Sequence, residues 1–241
     1  MPIIEIGNWE PYRRDRDGYG EIKLLAYLQT WMARLNDKYT AIIAGSYPLH
    51  VLVECRQLTK YVFRPNDIDI WVNCANVAEL VMAAYDFSKE HPKYRLDNIR
   101  VEHLPKYEAE DGYIQGIVEM TINTGTMVEK KMQLICWKDP QVKLPEIEKK
   151  LALSVIKQFD ISIVKIAIIK PTDVGSTFFV ENTSLPTEVI TGTFRAEMRE
   201  WTKAKTFFAR VDKYRRRGFR LAAVKGTDGT FEHMMVIANF S

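Results

Sequence analysis

The sequence predicts an α+β fold, in which a mixed β-sheet carries helices on one side and a small basic helical lobe follows at the C-terminus. Over the first 170 residues, short apolar runs typical of strands alternate with segments of helical periodicity. Two neighbouring strand-like runs form a predicted hairpin, so the sheet cannot be purely parallel. Lysine and arginine are concentrated after residue 194. We therefore expect a core over residues 1–170 and a basic helical region over 171–241 that packs on it.

The predicted elements begin with a helix at 20–37, where Ile22, Leu25 and Leu28 recur at helical spacing. The elements of the core that follow are a strand at 39–44, a helix that begins near Pro48, a strand at 67–72, a helix at 77–89, a hairpin of strands at 114–123 and 130–137, a helix from about 145 to 158 and a strand at 160–169. The segment 171–193 is rich in Thr, Ser, Gly and Pro, which is typical of a loop. A basic helix is predicted from about 194 to 217, where Gly218 would end it.

The composition excludes several classes of protein. Its 46% hydrophobic and 27% charged residues argue against disorder, collagen and coiled coil. No apolar run approaches the roughly 20 residues of a membrane span, and the N-terminus does not resemble a signal peptide. We therefore expect no membrane contact and a cytoplasmic location, which is the host cytoplasm if the source is a virus. The three cysteines (Cys55, Cys74 and Cys136) lack metal-ligand spacing and are expected to be buried free thiols, and the four scattered histidines predict no zinc site.

Two short motifs carry the candidate chemistry. Asp67 and Asp69 lie two residues apart on a predicted strand, so their side chains leave the same face of the sheet. Two carboxylates this close repel each other unless a cation binds them, and Mg²⁺ prefers oxygen ligands and shares its shell with substrate phosphates. Gly45 and Ser46 mark a strand-to-helix junction, where free N–H groups and the helix dipole favour a phosphate. A solvated strand end and a capped helix are the structural alternatives, and an isolated Asp-x-Asp also occurs in haloacid-type phosphatases and in glycosyltransferases.

The residues Ala-Gly-Ser at 44–46, the helix after them and Asp-Ile-Asp-Ile at 67–70 resemble the polymerase-beta-type nucleotidyltransferase superfamily. The resemblance covers roughly residues 40–170 and implies a palm-like core. More narrowly, residues 64–72, 133–135 and 159–160 resemble uncharacterised nucleotidyltransferase-like proteins of large viruses, phages and microbes. The resemblance implies transfer of a nucleoside monophosphate from a nucleoside triphosphate such as ATP to a hydroxyl acceptor, with release of pyrophosphate.

The resemblance also assigns roles to particular positions. Gly45 and Ser46 match the residues that hold the triphosphate, and Asp67 and Asp69 match the ligands of a site for two Mg²⁺ ions, which Mn²⁺ could replace. Arg64, which precedes this pair, is a further candidate contact to the nucleotide, although a surface arginine is the simpler interpretation.

The superfamily needs a third acidic ligand on a neighbouring strand, and its identity is open. Gln133 occupies a plausible strand position, but an amide is a poor anionic ligand. Asp160, which opens the predicted strand at 160–169, is the preferred third catalytic and metal-binding carboxylate. Glu119 is the second choice, because Val118 and Met120 share one face of their strand and turn Glu119 to the other.

The basic segment raises the question of a polymer substrate. Residues 194–225 contain 11 Lys or Arg against 3 Asp or Glu. The candidate nucleic-acid contacts are Lys203, Lys205, Lys213, Arg215, Arg216 and Arg217. Interleaved aromatic residues permit base stacking, but the same spacing is typical of a core-facing helix with a solvated outer face.

Three functions are therefore open. The leading hypothesis is a Mg²⁺-dependent nucleotidyltransferase whose acceptor is RNA, another nucleic acid or a smaller hydroxyl compound. The second is an inactive protein of the same fold that binds nucleotide, nucleic acid or a protein, which Gln133 favours. The third is an assembly component whose basic lobe docks an acidic partner.

Overall fold

A computed structural model of the chain describes residues 3–7, 18–55, 65–92, 95–102, 114–123, 129–138, 147–171, 175–180, 185–199, 203–226 and 231–232. The helices are α1 (Gly18–Asn36), α2 (Ser46–Cys55), α3 (Val77–Glu90), α4 (Ile147–Ile156), α5 (Leu185–Thr191) and α6 (Ala204–Arg216). The strands are β1 (Ile3–Gly7), β2 (Thr40–Ala44), β3 (Asp67–Asn73), β4 (Arg95–Glu102), β5 (Ile114–Asn123), β6 (Glu129–Trp137), β7 (Ile166–Pro171), β8 (Gly175–Val180), β9 (Thr193–Glu197), β10 (Arg220–Lys225) and β11 (Phe231–Glu232).

The first eight strands form one sheet in the order β1-β8-β7-β2-β3-β6-β5-β4. Strand β3 lies near the middle, antiparallel to β2 and parallel to β6, and the other neighbours are antiparallel. A parallel pair needs a crossover connection, and the chain between β3 and β6 supplies it with α3, β4 and β5. The predicted α+β class with a mixed sheet is confirmed.

Helices cover both faces of this sheet, although not equally. One face is packed against α1, α2 and α3 in the larger core, to which β2 and β3 contribute Ile43, Ile68 and Ile70. Helix α4 packs on the opposite face in a second apolar cluster that includes Ile42 and Trp71. The expectation of helices on one side therefore holds for α1, α2 and α3 but not for α4. The remaining part of the second face carries polar residues.

The C-terminal part differs most from the predicted helical lobe. It contains a second sheet, in the order β11-β10-β9, together with α5 and α6. The predicted basic helix at 194–217 begins only at Ala204, because Phe194 and Ala196 alternate with partly exposed residues and are buried as a strand. The predicted loop at 171–193 contains α5 and also β8, which belongs to the main sheet beyond the expected boundary at residue 170.

The predicted strand at 160–169 is also shorter in the structure. A 3₁₀ turn spans Ser162–Val164, and β7 starts only at Ile166. Ile163 and Val164 are both buried and belong to the core that also includes Phe194, Phe207 and Tyr214. This segment therefore joins the C-terminal elements to the main core instead of extending the sheet.

Two further expectations concern single residues and membrane segments. Cys74 and Cys136 are buried free thiols, as expected, and their Sγ atoms lie 2.8 Å apart where β3 and β6 end. The side chain of Cys55 lies outside the described part of the chain. None of the described helices is both long and apolar enough to cross a membrane.

Phe87 provides a test of the main core. Its side chain is fully buried on α3, and its ring lies 4.2 Å from that of Trp31 and 5.5 Å from that of Tyr27, centroid to centroid. We expect Phe87→Ala to lower the free energy of unfolding by about 3–5 kcal/mol, because the smaller side chain leaves a cavity among these rings. Tyr85→Ala is a matched control on the same helix, since Tyr85 is 47% exposed. Urea denaturation followed by circular dichroism should show a shift of the midpoint for Phe87→Ala alone.

Candidate active site

Strand β3 presents two carboxylates on the face that α4 leaves partly open. Along β3, Ile68 and Ile70 are fully buried towards α1, α2 and α3, and Asp67 and Asp69 alternate with them and are partly exposed. This placement agrees with the alternation in the sequence.

The strand-to-helix junction lies directly beside this pair. Gly45 has a φ of +99°, which disfavours any residue with a Cβ atom, and α2 begins at the next residue, the buried Ser46. A Cβ atom at Gly45 would lie 3.4 Å from Oδ2 of Asp69. The backbone of the turn therefore packs against the carboxylate, and the Gly-Ser and Asp-x-Asp motifs form one site.

Asp69 has an unusual environment for an acid. Although part of the residue is exposed, its Oδ1 atom is buried and has no hydrogen-bond partner among the described residues. Burial and then the negative charge of Asp67 raise the pKa of Asp69 to about 7, and Lys213 and Lys131 oppose this shift. A buried carboxylate oxygen without a donor is costly, and a bound cation would remove that cost.

Helix α6 contributes positive charge to this site, which the sequence did not indicate. Burial lowers the pKa of Lys213, and the charges of Asp67 and Asp69 act in the opposite direction. Burial likewise lowers the pKa of Arg217, which a hydrogen bond with Tyr214 and the charge of Asp67 oppose. The guanidinium of Arg217 lies 5.1 Å from the centroid of the buried Tyr214 ring, and the Lys213 ammonium lies 6.0 Å from it.

The six predicted nucleic-acid contacts thus fall into two groups. Lys213 and Arg217 are partly buried and interact with the aspartates, whereas four others are exposed: Lys203, Lys205, Arg215 and Arg216. Only the exposed group occupies the solvated surface where a polymer contact was expected. The helical period explains the division, because Phe207, Val211 and Tyr214 form the buried stripe of α6.

Asp160 does not open a strand, and its carboxylate has another partner. The side chain is 4% exposed and accepts a hydrogen bond of 2.7 Å from Nη1 of Arg210 on α6. Its backbone carbonyl accepts a hydrogen bond from the N–H of Glu197 in β9. Asp160 therefore connects the main core to the C-terminal elements. The described residues contain no group of three or more His, Cys, Asp or Glu side chains that could hold a metal ion, so the expected three-carboxylate cluster is not assembled among them.

Asp69, Gln133, Glu119 and Arg100 form a row of polar side chains across four neighbouring strands, which we call the polar row. In the strand register, Asp69 pairs with Gln133, Gln133 with Glu119, and Glu119 with Arg100 on β4. Nε2 of Gln133 donates a hydrogen bond to Oε1 of Glu119, and Nε of Arg100 donates one of 2.8 Å to Oε2.

Glu119 therefore binds two cationic side chains, those of Arg100 and Lys131. Its side chain is 3% exposed, and Lys131, the neighbour of Asp67 in the register, also forms an ion pair with it. Burial alone would raise the pKa of Glu119, but the hydrogen bonds from Lys131, Arg100 and Gln133 outweigh burial and lower it to about 2. Both carboxylate oxygens accept hydrogen bonds, so Glu119, the second choice for the third metal ligand, is already bound to cations of the protein.

Arg64, the predicted further contact to the nucleotide, lies outside the described residues.

No protein-family model matches the chain, and no curated protein matches its sequence. Among solved structures, the chain is similar to a CCA-adding enzyme in complex with CTP, with a TM-score of 0.48 and 15% identity over 87% of this chain and 41% of that one. It is also similar to the Thermotoga maritima CCA-adding enzyme complexed with tRNA, with a TM-score of 0.49 and 15% identity over 87% and 40%. A third is a tRNA nucleotidyltransferase with a primer tRNA and an incoming ATP analog, with a TM-score of 0.41 and 14% identity over 82% and 46%. The chain spans less than half the length of each of these proteins.

The raised pKa of Asp69 predicts a pH dependence of stability in the presence of a chelator. The ordinary value is 3.8 and the folded value about 7, so the folded state binds more protons than the unfolded state between these limits. The free energy of unfolding should therefore fall as the pH rises through this range and stay low above it. Asp69→Asn should remove this fall and be more stable than the wild type at pH 8. The control Asp37→Asn, at an exposed carboxylate, should behave like the wild type in thermal melts.

The Asp160–Arg210 pair allows the structural role of Asp160 to be separated from metal binding. Asp160→Asn and Arg210→Gln should each lower the free energy of unfolding by about 1–3 kcal/mol, because each leaves a charged partner without its hydrogen bond. The double variant should lose less than the sum of the two. Mg²⁺ affinity, measured by calorimetry, should be alike in the two single variants. A loss of affinity in Asp160→Asn alone would instead identify Asp160 as a metal ligand.

Proposed function

We propose that the chain is a Mg²⁺-dependent nucleotidyltransferase that moves a nucleoside monophosphate from a nucleoside triphosphate to a hydroxyl acceptor. The observation that carries this proposal is the position of Asp69: its buried oxygen lacks a partner, Asp67 is two residues away, and the Gly45 turn packs against its carboxylate. This arrangement brings cation ligands and a phosphate-binding helix start into contact.

The residues present fit a divalent cation. Asp67 and Asp69 supply the anionic oxygens, and Oδ1 of Asp69 is the atom that gains most from a ligand, since it is buried without a donor. Gln133, the neighbour of Asp69 on β6, supplies a neutral amide beside the pair. When bound, Mg²⁺ would act as a Lewis acid on the phosphates and neutralise charge that develops on the leaving pyrophosphate. Substrate phosphate oxygens would complete its coordination.

The triphosphate would lie between the Gly-Ser turn and α6. The backbone at Gly45 and Ser46 offers N–H groups at the start of α2, and Lys213 and Arg217 supply positive charge beside the aspartates. Because both cations are partly buried, their attraction to a phosphate is screened less than that of a surface residue. We therefore propose that Lys213 and Arg217 contact the phosphates of the nucleotide. The four exposed basic residues of the segment remain candidate contacts to an RNA acceptor.

The reaction is a displacement at phosphorus. The acceptor hydroxyl oxygen forms a bond to the α-phosphorus, the bond from that phosphorus to the bridging oxygen breaks, and its electron pair leaves with pyrophosphate. The hydroxyl proton passes to water. The protein contributes mainly by positioning and by charge, as in other phosphoryl-type transfers.

The second candidate is a protein of the same fold that binds the nucleotide without transferring it. The specific observation in its favour is the polar row, in which Gln133 is a neutral amide and Glu119 is bound to Arg100 and Lys131. Such a site would hold a nucleotide with its accompanying Mg²⁺ but would have less negative charge with which to bind a second ion. Pyrophosphate release distinguishes the two candidates.

Titration with MgATP tests the proposal directly. Asp67→Asn combined with Asp69→Asn should abolish Mg²⁺-dependent binding while the fold persists, because removing paired carboxylates relieves repulsion. Lys213→Gln combined with Arg217→Gln should weaken binding at least tenfold, about 1.4 kcal/mol, even with saturating Mg²⁺. Lys89→Gln, at an exposed residue of α3, should leave the affinity unchanged.

The same proteins should then be incubated with labelled ATP, Mg²⁺ and total RNA, and pyrophosphate release should be followed. Release by the wild type that is lost in the aspartate variant is the expected result. Wild-type affinity for MgATP in the aspartate variant would refute the site. Binding without release for any acceptor would favour the second candidate.

A further inference from the structure

An open polar cleft lies beside the aspartates, on the side away from the Gly45 turn. It has a volume of about 620 Å³ and is lined by residues of β4, β5 and β6 and by the residue before β3, among them Asn66, Asn98, Arg100, Thr121 and Lys131. The cleft starts at the site itself, since Asn66 precedes Asp67 and Lys131 is the register neighbour of Asp67. Its size is within the usual range of small-ligand sites.

Two cationic side chains of the cleft are held in place by one buried carboxylate. Glu119 at its floor is 3% exposed and binds both Arg100 and Lys131, so that one negative charge is shared by two positive charges. The two cationic side chains remain accessible, with 64% of Arg100 and 42% of Lys131 exposed. Cations that are already held by a buried carboxylate lose less conformational freedom when an anion binds.

The uncharged groups of the cleft suit the same ligand. Asn66 and Asn98 are exposed, and Thr121 is partly exposed. Amide and hydroxyl groups are common partners of nucleic-acid phosphates, which they bind without reading the sequence. The described residues that line the cleft include no aromatic side chain on which a base could stack. Their amide, hydroxyl and cationic groups are equipped to hold a backbone phosphate.

The position of the cleft separates it from the triphosphate. In the sheet order, β2 and its Gly45 turn lie on one side of β3, and β6, β5 and β4 lie on the other. The attacking and leaving oxygens of a phosphoryl-type transfer lie roughly in line across the phosphorus. With the pyrophosphate towards Gly45, the acceptor must approach from the side of β6. Glu119, which binds Arg100 and Lys131, is on β5, two strand spacings or about 10 Å from β3. The cleft therefore lies close enough to the aspartates to hold the part of the acceptor next to its reacting hydroxyl.

We propose that this cleft binds a backbone phosphate of a nucleic-acid acceptor strand, next to the hydroxyl that receives the nucleotide. Arg100 and Lys131 supply the charge, Glu119 positions them, and Asn66 and Thr121 donate further hydrogen bonds. The inference rests on the proposed function for the identity of the acceptor, but the binding of a strand in the cleft can be measured without catalysis.

The test is a salt titration of oligonucleotide binding in the presence of a chelator, with a short single-stranded oligoadenylate as the probe. The variant Arg100→Gln with Lys131→Gln removes two charges but keeps side-chain donors for Glu119. We expect the slope of log affinity against log salt to fall by about 1.4, since each single-strand phosphate contact contributes about 0.7. The single variant Arg100→Gln, which leaves Lys131 beside Asp67 in place, should lower the slope by about 0.7 and keep the MgATP affinity within twofold of the wild type. Arg100→Lys with Lys131→Arg, which restores both charges, should restore most of the slope.

A matched control is Arg34→Gln with Lys89→Gln, which removes the same two residue types from α1 and α3. Arg34 forms only an exposed ion pair with Glu90, so little stability depends on it. This variant should keep the wild-type slope. If the cleft variant also keeps that slope, the proposal is overturned.

A measurement on the wild type covers the case in which the cleft variant does not fold. Bound oligoadenylate should protect Lys131 from reductive methylation, whereas Lys89 should remain reactive, as mass spectrometry of the peptides would show. Full reactivity of Lys131 at saturating oligonucleotide would overturn the proposal. Protection by MgATP alone would also overturn it, because the cleft would then belong to the donor nucleotide. Failure of the wild type to bind MgATP would refute the proposed function and leave the oligonucleotide result to decide the cleft.

Discussion

Electrostatic repulsion between two carboxylates on one strand is the constraint on which the rest of the site depends. Asp67 and Asp69 share a face of β3, and one oxygen of Asp69 is buried without a partner among the described residues. Such a pair is stable only if nearby positive charge, protonation or a cation offsets the repulsion. Lys213 on α6 and Lys131 on β6 provide part of that charge from two directions. The negative charge that they leave uncompensated would favour the binding of a cation, as the proposed function requires.

The C-terminal elements pack on the main core and contribute charge to the site. Tyr214 and Phe207 share a core with the first three helices, and Arg210 of the same helix binds Asp160. These contacts fix α6 so that Lys213 acts on the aspartates. A helix that is positioned by buried aromatic residues and an ion pair has little freedom to withdraw its charges. A nucleotide bound as proposed would therefore also stabilise the C-terminal part.

In the polar row from Asp69 to Arg100, the amide of Gln133 determines how charge is distributed on this face of the sheet. With an acid at Gln133, three negative charges would lie side by side, including that of Glu119. With an amide there, Gln133 instead donates to Glu119, which then holds Arg100 and Lys131. The amide of Gln133 thus leaves less negative charge beside Asp69 and at the same time supports the pairing of Glu119 with Arg100 and Lys131. The two effects have a common cause, since adjacent strands place their side chains about 5 Å apart.

Local periodicity in the sequence determined the strand with Asp67 and Asp69, the glycine turn before α2 and most helices of the core, because alternation and helical spacing report which face of an element is buried. It did not determine β4, β8 or the strand that replaces the start of the predicted basic helix, since the tendency to form a strand depends on the neighbouring strands and on burial more than on local sequence. Only the tertiary structure decided which distant residues meet. The registers of β4, β5 and β6 placed Glu119 beside Arg100 and Lys131, and the packing of α6 placed Lys213 and Arg217 near the aspartates. Those contacts join residues far apart in the chain, and the burial of the whole core fixes them, which no local pattern records.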